Sequence, residues 1–286
     1  MKLYNLLKIP YDLIKRIYKN FNLFLNKIFF KLDKNYLRKK FLEIGLKKGM
    51  NVYVHSSLSK FGYIEDGVNS VITVLQDIIK DGTIMMPTFT FPKNQFNIDD
   101  SSWTGKLSEV FRKNANRSVH LTHSVAAKGK ISNYLVQDHI KSKRPFDNNS
   151  PFAKFAKLDS YILMLGTENN SMIHYVQDKV NFPDLFLGIK EYKFNNKKLK
   201  TKLHHPKGSI NYIYNRKPCS DVYFLVQMYK DLKFEERNIM KTVKIGKAVC
   251  HLIKTKEFVK EAIKYLKDNI KRYKNEYKLR LEHGSS

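Results

Sequence analysis

The chain has 286 residues, 42% of them hydrophobic, two cysteines and a formal net charge of +27. That supplies a core for one large α/β domain or two ordinary ones, and it excludes a disordered chain and a disulfide-built secreted module. The charge favours anionic partners over cationic ones, although the basic residues are scattered along a Lys-, Asn-, Ile- and Tyr-rich chain rather than gathered into an arm.

Residues 1–34 form a distinct first piece. Leu13, Ile14, Ile17, Phe21, Leu25, Ile28 and Leu32 fall on one helical stripe, while Lys15, Arg16, Lys19, Lys27 and Lys31 lie off it. The pattern predicts a basic amphipathic helical extension. It packs on the domain or on a second subunit of a homo-oligomer, or lies as a peripheral contact on an anionic membrane surface. Charges interrupt every apolar run, so the sequence shows no membrane span, and no small-residue cleavage site follows. With Cys219 and Cys250 far apart and outside any metal-ligand spacing, the reading is a cytoplasmic protein.

Residues 35–280 read as one domain, and 281–286 (LEHGSS) as a vector-derived tail. In chain order, LRKKFLEIGL predicts a helix closed by a glycine turn, and NVYVHSS a short buried strand. GVNSVITVLQDIIKDG predicts an amphipathic helix ended by Gly82, and TIMMPTF a buried strand stopped by Pro87. SYILMLG and DVYFLVQMY predict further strands, and FNNKKLKTKLHHPKGSINY a hairpin or small β insert. EFVKEAIKYLKDNIKRYKNEY predicts a long helix. The alternation argues an α/β fold: a central mixed, largely buried sheet flanked by helices, with a small β insert and an N-terminal helical extension.

Several chemistries lack their motifs. There is no phosphate loop GxxxxGK[ST], no dinucleotide GxGxxG, no HExxH or CxxC, and no GxSxG elbow. No metal site is expected. The pair His204–His205 in its basic segment reads as solvated surface.

Four segments, in order, carry a resemblance. VYVHSSLSKFGYIEDG is similar to V-H-x-S-L-S-x-[LF]-G, and DGTIMMPTFTF to G-T-[LI]-x-x-P-T-F. HLTHSVAAKG is similar to H-P-T-H-S-V-A-A-x-G, with Leu121 in place of proline. NNSPFAKFAKLDSYILMLGTENNSMIHYVQD is similar to S-P-[YF]-x-x-L, a strand ending in glycine, and a T-x-x-H-x-x-E-like element. Together they resemble the antibiotic N-acetyltransferase family, typified by the aminoglycoside 3-N-acetyltransferases. They cover roughly residues 36–190, and KIGKAVCHLIKTKEFVKEA is similar to the family's usual ending.

The resemblance implies transfer of an acyl group from coenzyme A to an amine, by direct attack in a ternary complex and without a metal. His174 matches the family's catalytic histidine, and an imidazole suits base work near neutral pH. If SMIHYVQD opens a helix, Gln177 and Asp178 stand at i+3 and i+4 on the face of His174. The family usually has glutamate at the Gln177 position, as orienter of the histidine or contact to the substrate amine. Here either Asp178 supplies that carboxylate one residue later, or the acceptor is not a polycation that needs one. His123 is expected to orient the acceptor, and Thr122 and Ser124 to lie near the pantetheine thiol and donate to the developing oxyanion. Ser56, Ser57 and Ser59, at a strand end where a helix is expected to begin, suit a phosphate or the pantetheine. Thr88 and His120 complete the expected substrate contacts; backbone-satisfied histidines and a plain serine turn are the plainer alternatives. Met85, Met86, Phe89 and Phe91 read as core and pocket wall.

The family divides by acceptor. Aminoglycosides are polycations, and a chain at +27 that lacks the glutamate beside His174 is poorly suited to attract them. The chain also resembles the branch that acylates nucleotide-linked amino sugars, of the dTDP-3-amino-3,6-dideoxyhexose kind, for surface polysaccharide synthesis. In that branch 3-hydroxybutanoyl-CoA is one acyl donor. An aminoglycoside-resistance acetyltransferase is the alternative. A non-catalytic anion- or membrane-binding protein is the farther one; nucleic acid is not an expected partner.

Overall fold

The computed structural model describes residues 31–182, 186–204, 212–214, 217–219 and 221–283. The expected helix of residues 1–34 lies outside them up to residue 30. Lys31–Leu32, read above as helical, forms a short strand, β1, paired in parallel with β3 (Tyr63–Ile64). The following helix, Lys34–Ile44, starts at Asp33, whose side chain accepts from the Tyr36 N–H, so the sequence breaks into a new element there. Gly45, at φ 111°, ends that helix as expected.

Apolar residues on both faces place β2 (Asn51–Ser56), β4 (Thr83–Pro87) and β7 (Ser160–Leu165) in the middle of a sheet. The chain completes that sheet with β5 (Asn116–Arg117), β6 (Val125–Gly129), β12 (Met240–Ile245) and β13 (Ala248–Lys254). It is seven-stranded, in the order β12-β13-β7-β2-β4-β6-β5. β2 runs parallel to both β4 and β7, and the flanking pairs are antiparallel. This is the expected mixed central sheet. Helices cover both faces and leave two apolar layers, one around Val52, Val54, Ile84 and Leu163, the other around Tyr53, Phe152, Ile173 and Phe258.

The basic insert forms an antiparallel hairpin, β8 (Phe186–Phe194) with β9 (Lys197–His204). Asn195 and Asn196 turn it, both at positive φ, where asparagine is tolerated. A second, short hairpin pairs β10 (Tyr212–Tyr214) with β11 (Lys217–Cys219).

Two further expectations need correction. DVYFLVQMY is not a strand but part of the helix Asp221–Asp231. Its buried Leu225, Met228 and Tyr229 follow a three-four spacing, and a short apolar run does not by itself separate the two periods. The helix Val68–Ile79 is ended by Lys80, at φ 50°, and not by Gly82. Gly82 serves close approach instead, since a Cβ there would lie 2.0 Å from the Met50 carbonyl oxygen. The antiparallel pair β12–β13 was not anticipated. The long closing helix runs Thr255–His283 as expected, and among the described residues no helix is long and apolar enough to cross a membrane.

Candidate active site

The parallel strands end together. Ser56 of β2 pairs with Leu165 of β7, and Pro87 of β4 pairs with Val125 of β6. The segments after β2, β4 and β7, and the one before β6, therefore meet at one end of the sheet, where α/β folds collect their sites.

The pleat of β2 sends Val52 and Val54 into one apolar layer and Tyr53 into the other. His55 follows Tyr53, its ring 4.4 Å from the tyrosine ring. The Tyr53 hydroxyl bonds the Ser171 hydroxyl at 2.7 Å, just before the helix Met172–Lys179. On that helix His174, Gln177 and Asp178 share one buried face, as the spacing predicts. His174 Nδ1 donates to Gln177 Oε1 at 2.9 Å, so the lone pair resides on Nε2. The His174 ring lies 4.4 Å from His204 and 5.5 Å from Phe146. His204 lies 5.0 Å from His123, whose Nδ1 shares a 2.8 Å bond with the Thr122 hydroxyl.

Burial keeps His55, His120, His123, His139 and His174 neutral. It pushes His174 down to about 4, opposed by the bond to Gln177. It pushes His55 to about 3, with His174 adding to the effect. His139 falls to about 4 by burial, opposed by the Pro145 carbonyl. His120 and His123 lie well below the ordinary histidine value, again chiefly through burial.

The expected site residues divide. Asp178 does not hold His174: its carboxylate accepts from Arg144 Nε at 2.7 Å and Nη2 at 3.2 Å. A neutral histidine has one proton to donate at Nδ1, and the amide of Gln177 takes it. His120 is fully buried. Its Nδ1 accepts from the Thr122 and His123 N–H groups (3.2 and 3.1 Å) and its Nε2 donates to Thr201 (2.9 Å), so it shapes the loop from within.

Ser124 and Thr88 are likewise committed. The Ser124 hydroxyl donates to the Thr88 carbonyl at 2.6 Å, and the Thr88 hydroxyl bonds Ser124 at 3.2 Å. Both hydroxyl protons are engaged within the protein. The turn after β2 is a single 3-10 turn, Leu58–Lys60, and not the start of an α-helix. There the Ser57 N–H donates to Leu165 (2.8 Å), Ser59 is exposed, and Ser56 and Ser57 are half-buried next to His55. The Thr122–His123 pair and the His174–Gln177 pair lie on either side of His204. Phe91, expected in the pocket wall, is exposed.

Two contributors escaped the sequence reading. His204, read as solvated surface, is 8% exposed at the end of β9, wedged between His123 and His174. Only the burial of Thr201 and His204 on an otherwise exposed strand distinguishes it. His205 lies outside the described residues. Arg117 is the other. Buried beneath the loop after β4, its guanidinium donates to the carbonyls of Thr88 (2.8 Å), Ile98 (2.6 Å) and Asp100 and to the Ser124 hydroxyl (3.2 Å). Burial lowers it to about 10, Arg112 adding and Asp100 opposing. Among the described residues no group of His, Cys, Asp and Glu side chains is arranged to hold a metal ion.

Residues 53–267 match the family described as Aminoglycoside 3-N-acetyltransferase. The chain is 27% identical over 260 residues to the SPbeta prophage-derived aminoglycoside N(3')-acetyltransferase-like protein YokD of Bacillus subtilis (strain 168), covering 79% of this chain and 89% of that one. It is 25% identical to aminoglycoside N(3)-acetyltransferase IV of a Salmonella species, covering 78% and 82%. Its fold is similar to that of the aminoglycoside acetyltransferase AAC(3)-Xa, with TM-score 0.73 at 19% identity over 89% of this chain and 99% of the other. It is also similar to AAC-IIIb in a binary complex with CoASH, with TM-score 0.70 at 18% identity over 84% and 98%.

Proposed function

The chain belongs to the aminoglycoside 3-N-acetyltransferase family, and from that premise we propose that it transfers an acyl group from acyl-CoA to the amine of a sugar-like acceptor, with His174 as the base. The observation that carries this reading is the bond from His174 Nδ1 to Gln177 Oε1, which fixes the tautomer with its lone pair at Nε2.

The chemistry follows from that atom. As the amine nitrogen bonds the thioester carbonyl carbon, its N–H becomes strongly acidic, so even a histidine near 4 accepts the proton. The carbon–sulfur bond then breaks, and the proton passes from His174 to the departing thiolate. A histidine so depressed is unprotonated throughout the neutral range. It begins each cycle ready to act.

The residues at the end of β2 fit the acyl donor. Among the described residues His55 Nε2 is buried and meets no hydrogen-bond partner, a state that costs about 1–3 kcal/mol until a ligand group meets it. The adjacent Ser56 and Ser57 offer hydroxyls for the pantetheine arm, and Thr122 with His123 lines the opposite wall.

The names of the relatives favour an aminoglycoside acceptor. A second reading, a nucleotide-linked amino sugar, is favoured by the electrostatics beside the base. Gln177 is neutral, Asp178 is already paired with Arg144, and the chain carries +27. A polycation gains little there, whereas a diphosphate is attracted. Thiol release measured for acetyl-CoA and 3-hydroxybutanoyl-CoA, each against 2-deoxystreptamine aminoglycosides and dTDP-linked amino sugars, separates the two. Release with one acceptor class selects that reading, and no release with any pair overturns the transferase assignment.

A further inference from the structure

Large aromatic side chains left in water next to a binding site mark a surface kept for a ligand. Phe91 is 71% exposed and Trp103 53%. Their rings stack with centroids 6.0 Å apart and planes 29° apart.

The loop carrying them is held firmly. Arg117 fastens it from beneath through the carbonyls of Ile98 and Asp100, the Trp103 N–H donates to the Phe89 carbonyl (3.1 Å), and the Thr104 hydroxyl donates to the Pro87 carbonyl (2.6 Å). Phe89 joins the pair to the histidine pocket, its ring 5.8 Å from Trp103 on one side and 4.6 Å from His123 on the other. The aromatic pair is thus a preorganised outer shelf of the same site.

The hairpin beside the shelf is strongly basic. The loop is bridged to β8 by Phe96 N–H to the Lys193 carbonyl (2.9 Å), Lys193 N–H to the Asn94 carbonyl (2.9 Å) and Lys190 Nζ to Asn94 Oδ1 (2.9 Å). The hairpin so docked carries Lys190, Lys193, Lys197, Lys198, Lys200 and Lys202 against the lone acid Glu191. On the loop itself Asp100 is paired with Lys93 at 2.6 Å, and Asp99 is exposed, so the positive excess comes from the hairpin. Flat aromatic faces beside an excess of lysines suit a planar base joined to phosphates, and they repel a polycation.

We propose that Phe91 and Trp103 form a stacking platform for the base of a nucleoside diphosphate, with the lysine-rich β8–β9 hairpin facing its phosphates. The acceptor's nucleotide lies there while its amine reaches His174. This rests on the nucleotide-linked acceptor reading, but its test needs no turnover.

Trp103 is the chain's single tryptophan, so intrinsic fluorescence reports this platform alone. The full chain, saturated with CoA, is titrated with dTDP, with UDP and with a hexose 1-phosphate. A saturable change with the nucleotides and none with the sugar phosphate is expected. Phe91→Ala, at an exposed position that leaves the fold intact, should raise the dTDP Kd about 10-fold, as loss of one stacking face does.

No change with either nucleotide overturns the platform. So does a change produced by CoA alone that then blocks dTDP, because the shelf would belong to the coenzyme's adenine. Acylation of a dTDP-linked amino sugar without the fluorescence change leaves the acceptor reading standing and removes the platform. The fluorescence change without such acylation keeps the platform and removes the acceptor reading.

Discussion

Replacing Gln177 with glutamate changes one atom type at the point that orients His174. The amide oxygen already lies 2.9 Å from Nδ1, so a carboxylate there meets the protonated ring at a charge separation of about 4 Å. At an effective dielectric of about 20 this is worth about 4 kcal/mol, or about 3 pKa units at 1.36 kcal/mol each. Gln177 is 1% exposed, and burying a new carboxylate returns part of that gain. A rise of about 1–2 units remains, in line with carboxylate–cation neighbours elsewhere. His174 then moves from about 4 to between about 5 and 6.

A protonated base cannot accept the amine's proton, so the acid limb of kcat/KM should move up by the same amount. At pH 5.5 Gln177→Glu should have lost a large share of its plateau rate while the parent retains all of the part that depends on His174. The assay is thiol release from pH 4.5 to 8, with circular dichroism to verify folding. Acid limbs that coincide within about 0.3 units would refute the assignment of Gln177 as the holder of His174, because a contact at this distance cannot leave the ring's affinity unchanged.

Other outcomes follow from the same geometry. His174→Asn should lower turnover about 100-fold or more, the share general-base catalysis supplies, with a urea midpoint near that of the parent; near-full activity rejects it as the base. Asp178→Asn should instead act on stability, losing about 1–3 kcal/mol with the Arg144 pair, while turnover stays within about 3-fold; a large turnover loss at unchanged stability would restore Asp178 to the chemistry. Acid should also weaken the fold. His55, His139 and His174 have folded values of about 3, 4 and 4, below the unfolded value of about 6.5. The unfolded chain therefore takes up protons that the folded one refuses, and stability present above pH 6.5 is lost as pH falls toward 4. By pH 5 each contributes a loss of about 2 kcal/mol. Urea midpoints equal at pH 7.5 and pH 5 would contradict the neutral, buried cluster.

Much of the fold was legible because its signals are local. NVYVHSS and TIMMPTF are apolar on both faces, as central strands must be, and the His174 helix begins after a strand ending in glycine. The failures have physical causes. DVYFLVQMY is too short and too apolar for its period to declare itself, and burial of Leu225, Met228 and Tyr229 against neighbouring helices decided it. In MKTVKIGKAVCHLIK the alternation of Val243 and Ile245 with lysines, and Gly246 at φ 58°, carried the signal of a hairpin that went unread.

At the site, His174 and Gln177 were legible together because three residues on a helix are neighbours in space. Asp178 was misassigned because Arg144, its partner, is distant in sequence. His204 was illegible for a related reason. Its surroundings in the chain are lysines, and only the folded hairpin brings it against His123.

That hairpin separates two quantities usually taken as one. Among the described residues, the apolar side chains of β8 and β9 gather in a small third cluster, Phe96, Leu121 and Tyr192 with Phe194, Leu199 and Leu203 at its edge, outside both layers that clothe the sheet. Apart from the contact of His204 with Phe146 of the main core, the free energy holding the hairpin is a local one, smaller than that of the whole domain. Amide protons of the hairpin should exchange ahead of those of β2 and β7. The wall of the pocket can then change in sequence without disturbing the folding of the sheet, and acceptor preference can drift while the base and its tautomer stay fixed.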